Sequence, residues 1–146
     1  MTLARTTSLS LPALALFLAC AGIQKVDYGL QPERIEDPQA EVLRFIKLNT
    51  TQGCIAEPAF EDRVLFVKFA CNNGVGNSTA RLDRVKEIVL EQYQEWYRVV
   101  VRHSDGSPDF AWSSKSLQDV QRAADAFAAL SGAGPTPRAP ANNTTL

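Results

Sequence analysis

Apolar positions keep a helical period in two stretches of the chain and alternate in others. Val42, Leu43, Phe45, Ile46 and Leu48, broken by Glu41, Arg44 and Lys47, suit a short helix of about three turns. Asp37 can cap it, and Pro38 at the first helical position gives up no N–H that the helix needs. Thr50, Thr51 and Gly53 end it. Leu117, Val120, Ala124, Phe127 and Leu130 form one stripe of a second helix, with Gln118, Asp119, Gln121, Arg122 and Asp125 turned away from it. Ser116 opens this helix in the manner of a capping box, with Asp119 in place of the usual Glu, and Gly132 supplies the stop. Between the helices, residues 63–69 (RVLFVKF) predict a strand apolar on nearly both sides. Residues 96–103 (WYRVVVRH) predict another, with Tyr97, Val99 and Val101 on one face and Trp96, Arg98, Val100 and Arg102 on the other. A turn at 104–107 leads to residues 109–113, where Phe110 and Trp112 share a face, so these two segments predict a β-hairpin.

Two stretches are less decided. Residues 72–78 (NNGVGNS) hold two glycines and three asparagines and read as a loop. Residues 79–95 read two ways: Leu82, Val85, Val89, Tyr93 and Trp96 keep helical spacing, while Ile88-Val89-Leu90 favours a strand. The order of "TARLDRVKEIVL", "WYRVVVRHSDGSPDFAW" and "SKSLQDVQRAADAFAAL" resembles the second half of a pleckstrin-homology-like domain over about 50 residues. That resemblance implies a strand pair, a hairpin and one amphipathic helix plugging an open barrel, and it implies no catalytic motif. Lipid-headgroup binding does not carry over, because no loop gathers a cluster of Lys and Arg. The fold expected is α+β: a small antiparallel sheet, with an open pleckstrin-homology-like barrel as one form of it. A C-terminal amphipathic helix packs that sheet, and a short N-terminal helix precedes it.

The N-terminal region changes the picture from fold to address. Met1 to Leu18 holds one charge, Arg5, and residues 9–19 (LSLPALALFLA) hold none. Eleven apolar residues are too few for a bilayer span, which needs about 20 as a helix, and suit the apolar region of a secretory signal peptide. Leu16-Phe17-Leu18-Ala19-Cys20 resembles the bacterial lipobox, with Phe17 where leucine is commonest. The resemblance implies that the Cys20 thiol is diacylated and that the chain is cut before Cys20. Ala21 after the cysteine implies the outer membrane facing the periplasm. Ala19-Cys20-Ala21 is also an A-x-A site, whose cleavage would release a secreted or periplasmic soluble protein beginning at Gly22. The organisation expected is a signal peptide over 1–19, a lipid-anchored tether over 20–37, an α+β domain over 38–131 and a disordered tail over 132–146.

Composition and charge narrow the chemistry. The 146 residues carry 15 basic and 16 acidic side chains. Loss of Arg5 with the signal leaves 14 against 16, so charge draws the chain neither to nucleic acid nor to anionic lipid. One histidine and three scattered cysteines do not make a protein-only zinc site, and no cofactor is expected. Cys54 and Cys71 remain after processing, with sixteen residues between them. In an oxidising compartment they are expected to pair, the spacing being unlike a C-x-x-C redox motif.

No catalytic residue is expected. His103 stands beside Ser104, Asp105 and Asp109, but neighbouring strand residues point to opposite faces, so a partly exposed hairpin histidine is the expectation and a small hydrolase the remote alternative. Glu87, Glu91 and Glu95 read as a solvated edge or helix face. Trp96, Arg98 and Arg102 form the candidate recognition surface, Trp96 being the aromatic expected in solvent. The partners implied are a membrane, through the anchor, and an envelope protein.

Overall fold

The structure, a computed structural model, describes residues 22–132; the signal peptide, Cys20 and the tail from 133 onward lie outside the described residues. The described chain is α+β, with two antiparallel sheets and two helices. Strand β1 (Gln24–Val26) is followed by helix α1 (Pro38–Leu48). Strands β2 (Cys54–Glu61), β3 (Val64–Cys71) and β4 (Gly74–Arg81) then form a three-stranded meander. Strands β5 (Val85–Tyr93), β6 (Trp96–His103) and β7 (Phe110–Ser114) form a second meander, to which β1 adds beside β5, giving the order β1-β5-β6-β7. Helix α2 (Leu117–Ser131) closes the domain and packs on the four-stranded sheet. The two sheets are separate and do not close into one barrel.

Both helices begin and end as the sequence predicts. The Asp37 carboxylate accepts from the Ala40 N–H at 3.1 Å, and the Ser116 hydroxyl oxygen accepts from the Asp119 N–H at 3.2 Å. Gly132 adopts φ 67°, the left-handed conformation that ends a helix at least cost for glycine. The inward face of the four-stranded sheet carries Ile88, Leu90, Val99, Val101 and Phe110 against Val120, Ala123, Ala124 and Phe127 of α2. Leu65, Val67 and Ala80 of the other sheet join the same core.

Three expectations need correction. The first is the tether. Residues 24–26 pair with β5, and Tyr28, Leu30 and Ile35 pack against the core. Asp125 explains why. It does not face away from the apolar stripe of α2 but is buried, accepting from the Tyr28 hydroxyl at 2.8 Å and from the Gln31 N–H at 2.7 Å. Burial, together with the hydrogen bond to Asp125, pushes the Tyr28 phenol up to about 12. This segment has no period because it runs as a strap, a short strand followed by an extended stretch and one 3₁₀ turn.

The second correction concerns residues 72–78, expected as a loop. Only the turn at 72–73 lies outside the strands, and β4 then pairs with β3 over its full length. Its glycines and small polar residues carry no strand signal of their own. They suit the place because Phe69 lies across from Gly76, where a side-chain Cβ would stand 2.5 Å from the Phe69 ring. Strand β2, to which the sequence assigned no element, is likewise an edge strand, and this is where Pro58 is tolerated. Third, residues 79–95 are neither one helix nor one strand. A 3₁₀ turn at Leu82–Arg84 separates β4 from β5, and β5 pairs with β6 through a register shift between Val85 and Glu87.

Glu41 joins the helices. It is buried, and both of its carboxylate oxygens accept from the Arg122 guanidinium of α2 at 3.0 and 3.2 Å while Arg44 donates from its own helix. Hydrogen bonding by Arg122, and then by Arg44, outweighs burial and lowers the Glu41 carboxyl to about 2. A folded value below the unfolded one stabilises the fold above the ordinary glutamate range and loses that stabilisation as pH falls towards 2. Both arginines are about half exposed, so solvent screening limits the effect to about 1–2 kcal/mol. Glu41→Gln should therefore lower the thermal midpoint at pH 7 and flatten its fall between about pH 4.5 and pH 2. A variant that keeps the wild-type acid profile by calorimetry would show that Glu41 does not carry it.

Candidate functional site

The outward face of the four-stranded sheet carries the residues singled out from the sequence. Strict alternation along β5 and β6 puts Glu87, Val89, Glu91 and Tyr93 beside Arg102, Val100, Arg98 and Trp96 on this face. Directly opposed residues on antiparallel strands interact most strongly, and here each acid faces a base. Arg98 Nε donates to Glu91 at 2.6 Å, and Arg102 Nη1 donates to Glu87 at 2.7 Å. Arg102 reaches Glu91 at 3.5 Å and Asp109 at 3.7 Å as well. Val89 and Val100, between these ion pairs on the same face, are buried although they lie outside the core cluster. Glu91 is only 9% exposed, so the expected solvated edge is a charge lattice at Glu87 and Glu91, with Glu87 still partly exposed and Glu95 the most open of the three.

This lattice divides the candidate recognition surface. Arg98 and Arg102 are held by carboxylates of their own sheet, and Trp96 stands at its end, 40% exposed. The Lys115 ammonium lies 5.1 Å from the centre of the Trp96 ring and 3.2 Å from Glu95. The other aromatics of the hairpin are inside or partly inside. Phe110 is fully buried, Tyr97 packs on the core, and Trp112 donates its indole N–H to the Asn49 carbonyl at 3.2 Å.

Two shallow grooves meet at Trp96. One, of about 700 Å³, runs between the end of α1 and β7 and is lined by Leu48, Asn49, Thr50, Gln52, Lys115 and Ser116 among others. The second, of about 380 Å³, is lined by Ile23, Tyr93, Tyr97 and Arg98, and both include Thr51 and Ser113. Ile23, Leu48 and Tyr93 were not singled out from the sequence as surface residues. Leu48 and Tyr93 fall on apolar periods there, and only the β1–β5 pairing brings Ile23 to the same end.

His103 differs from its expectation. It is 7% exposed, and both ring nitrogens are taken by backbone. Nε2 accepts from the Arg81 N–H at 3.0 Å, and Nδ1–H donates to the Pro108 carbonyl at 2.9 Å, the tautomer these partners require. Ser104 donates to the Arg84 carbonyl, and Asp105 accepts from Ser107. The histidine thus joins the end of β4 to the loop before β7, and its hydrogen bonds go to neither Ser104 nor the aspartates. Burial follows from the register, which places His103 on the inward face opposite Val85.

Cys54 and Cys71 are bridged, as direct cross-strand partners in the β2–β3 ladder with Cα atoms 4.1 Å apart. Among the described residues, no group of three or more His, Cys, Asp and Glu could hold a metal ion, and no helix is long and apolar enough to cross a membrane. No family model, curated protein or solved structure matches the chain.

Proposed function

We propose that the protein is a small cell-envelope lipoprotein. Acylated Cys20 holds an α+β domain at a membrane, in the outer-membrane leaflet facing the periplasm, where the domain acts by contact with an envelope protein partner and not as an enzyme. One observation carries this reading: the lipobox-like Leu16–Cys20 run is followed, four residues after the cysteine, by the first strand of a disulfide-braced domain. A disulfide suits an exported protein. A contact role is supported by the outward face of the three-stranded sheet, where Ile55 and Val75 flank Ala70 in one cross-strand row and both side chains are exposed. His103, the one residue with a hydrolase reading, is committed to backbone hydrogen bonds, which favours contact over chemistry.

Metabolic labelling with a fatty-acid analogue tests the anchor. The wild type should take up label and Cys20→Ala should not; label on the variant, or none on the wild type, overturns acylation at Cys20. An exported chain that begins at an unmodified Gly22 by mass would instead establish the secreted form, which the overlapping Ala19-Cys20-Ala21 site supports.

A further inference from the structure

We propose that the end of the domain bearing Ile23, Leu48, Tyr93 and Trp96 rests on the lipid bilayer, with these side chains at headgroup level. The inference deepens the lipoprotein reading and rests on it. Strand register gathers three of the four residues. Gln24 pairs with Gln92, Gln92 with Tyr97, and Tyr93 with Trp96, so Ile23 leaves the sheet at the tip of the β5–β6 hairpin. Leu48 arrives beside Trp96 from the end of α1, in the adjoining groove. All four are large apolar side chains left in water, Ile23 at 54%, Leu48 at 66%, Tyr93 at 45% and Trp96 at 40% exposure.

The anchor fixes which surface meets the membrane. Cys20 lies three residues before Ile23, and three residues of extended chain reach at most about 10 Å. Acyl chains on Cys20 therefore enter the bilayer within about that distance of Ile23. A long tether would let any face approach the lipid, but the pairing of residues 24–26 with β5, and Asp125 holding the strap behind them, leave no such slack.

The chemistry of the two ends agrees with this orientation. Tryptophan and tyrosine prefer the interface, where ring and polar edge are both accommodated. Lys115 over Trp96, and the hydroxyls of Thr51 and Ser113 in the grooves, can meet headgroup phosphates. The opposite end of β6 lies about 25 Å away at the usual rise per residue. Asp83, Arg84, Asp105 and Arg81 crowd there in ion pairs, and this charged end points away from the lipid. With the mature chain slightly acidic, a zwitterionic surface suffices as occupant. Four side chains do not supply the affinity; the acyl chains do, and the patch sets the tilt.

The chain has two tryptophans, which makes the test direct. Acylated full-length protein would be reconstituted on phosphatidylcholine vesicles whose acyl chains carry bromine close to the headgroup, a contact quencher of indole. Trp112→Phe leaves Trp96 as the sole reporter, and its emission should fall about two-fold relative to ordinary vesicles, as expected for an indole at the interface. Trp96→Phe leaves Trp112, which lines the same groove from a partly buried place and should be quenched less than Trp96. If Trp112→Phe does not fold, the wild type should show the same quenching at a reduced fraction of its total emission. Protein that sediments with vesicles while Trp96 stays unquenched and open to acrylamide overturns the orientation and leaves the anchor standing. Trp96 shielded from bromine and acrylamide alike means that a second copy or another protein covers this end, and overturns it too. Protein that carries no acyl mass and does not sediment overturns the anchor and, with it, the orientation.

Discussion

Phe127→Ala should cost about 3–5 kcal/mol of folding stability, the range for removing a fully buried phenylalanine. Phe127 lies in the middle of the apolar stripe of α2, is wholly inaccessible, and meets Phe110 of β7 with ring centres 5.6 Å apart and planes tilted by 55°. The helix is covered on several sides at once: by the four-stranded sheet, by α1 and by the strap held at Asp125. Its neighbours are therefore held from more than one direction and cannot close over the void. Since a domain of this size has about 5–15 kcal/mol in all, the loss is a fifth or more of the total. Urea unfolding followed by circular dichroism measures it. Phe127→Leu should lose much less, because most of the volume stays. A midpoint for Phe127→Ala close to that of the wild type would mean that α2 is not the centre of the core.

Reduction of the Cys54–Cys71 bridge comes second, at about 3 kcal/mol for a loop of this length. The bridge joins the open ends of the β2–β3 hairpin, whose closed end is the turn at Asp62 and Arg63. Without it the strands would fray from residues 54 and 71 inward. Strand β4 would follow, because its glycines and small polar residues hold their place only by pairing with β3. A reductant should thus lower the melting temperature by on the order of 10 °C, and amide exchange should accelerate in β4 more than in β5 or β6. The Cys54→Ser, Cys71→Ser double variant should match the reduced protein. An unchanged melting temperature would show that the sheet register alone keeps these strands together.

The same contrast explains what could be read before folding was considered. Helices α1 and α2 were legible because their signals are local: a capping oxygen three residues from an N–H, an apolar stripe of period 3.6 and, for α2, a glycine at the stop. Strands β3 and β6 were legible because long side chains alternate along them. Strands β2 and β4 were not, since an edge strand is specified by its neighbour. Pro58 and Gly76 weaken the local signal at positions that the β3 ladder nonetheless determines.

The candidate site divides along the same line. Trp96 was expected in solvent and is there, and the Cys54–Cys71 pair, expected from the signal-peptide reading and the cysteine count, is bridged. The partners of Arg98 and Arg102 were not foreseeable, because Glu91 and Glu87 lie 7 and 15 residues away and meet them only through the β5–β6 register. Asp125 shows the limit most plainly. On a helical wheel it belongs to the polar side, and a carboxylate there is ordinarily solvated. Residues 94 and 97 positions earlier in the chain fold back to donate two hydrogen bonds to it, which turns an expected tether into part of the domain.

By itself, then, the sequence determined the helices and their caps, the two strongest strands, the cysteine pair and the lipobox-like run, because each depends on residues close together or on chemistry independent of shape. Tertiary structure alone decided the split into two sheets, the burial of Glu41, Glu91, His103 and Asp125, and the meeting of Ile23 and Leu48 with Trp96. Those outcomes depend on which distant backbone donor, guanidinium or apolar face arrives next to a side chain, and long-range pairing sets that arrival.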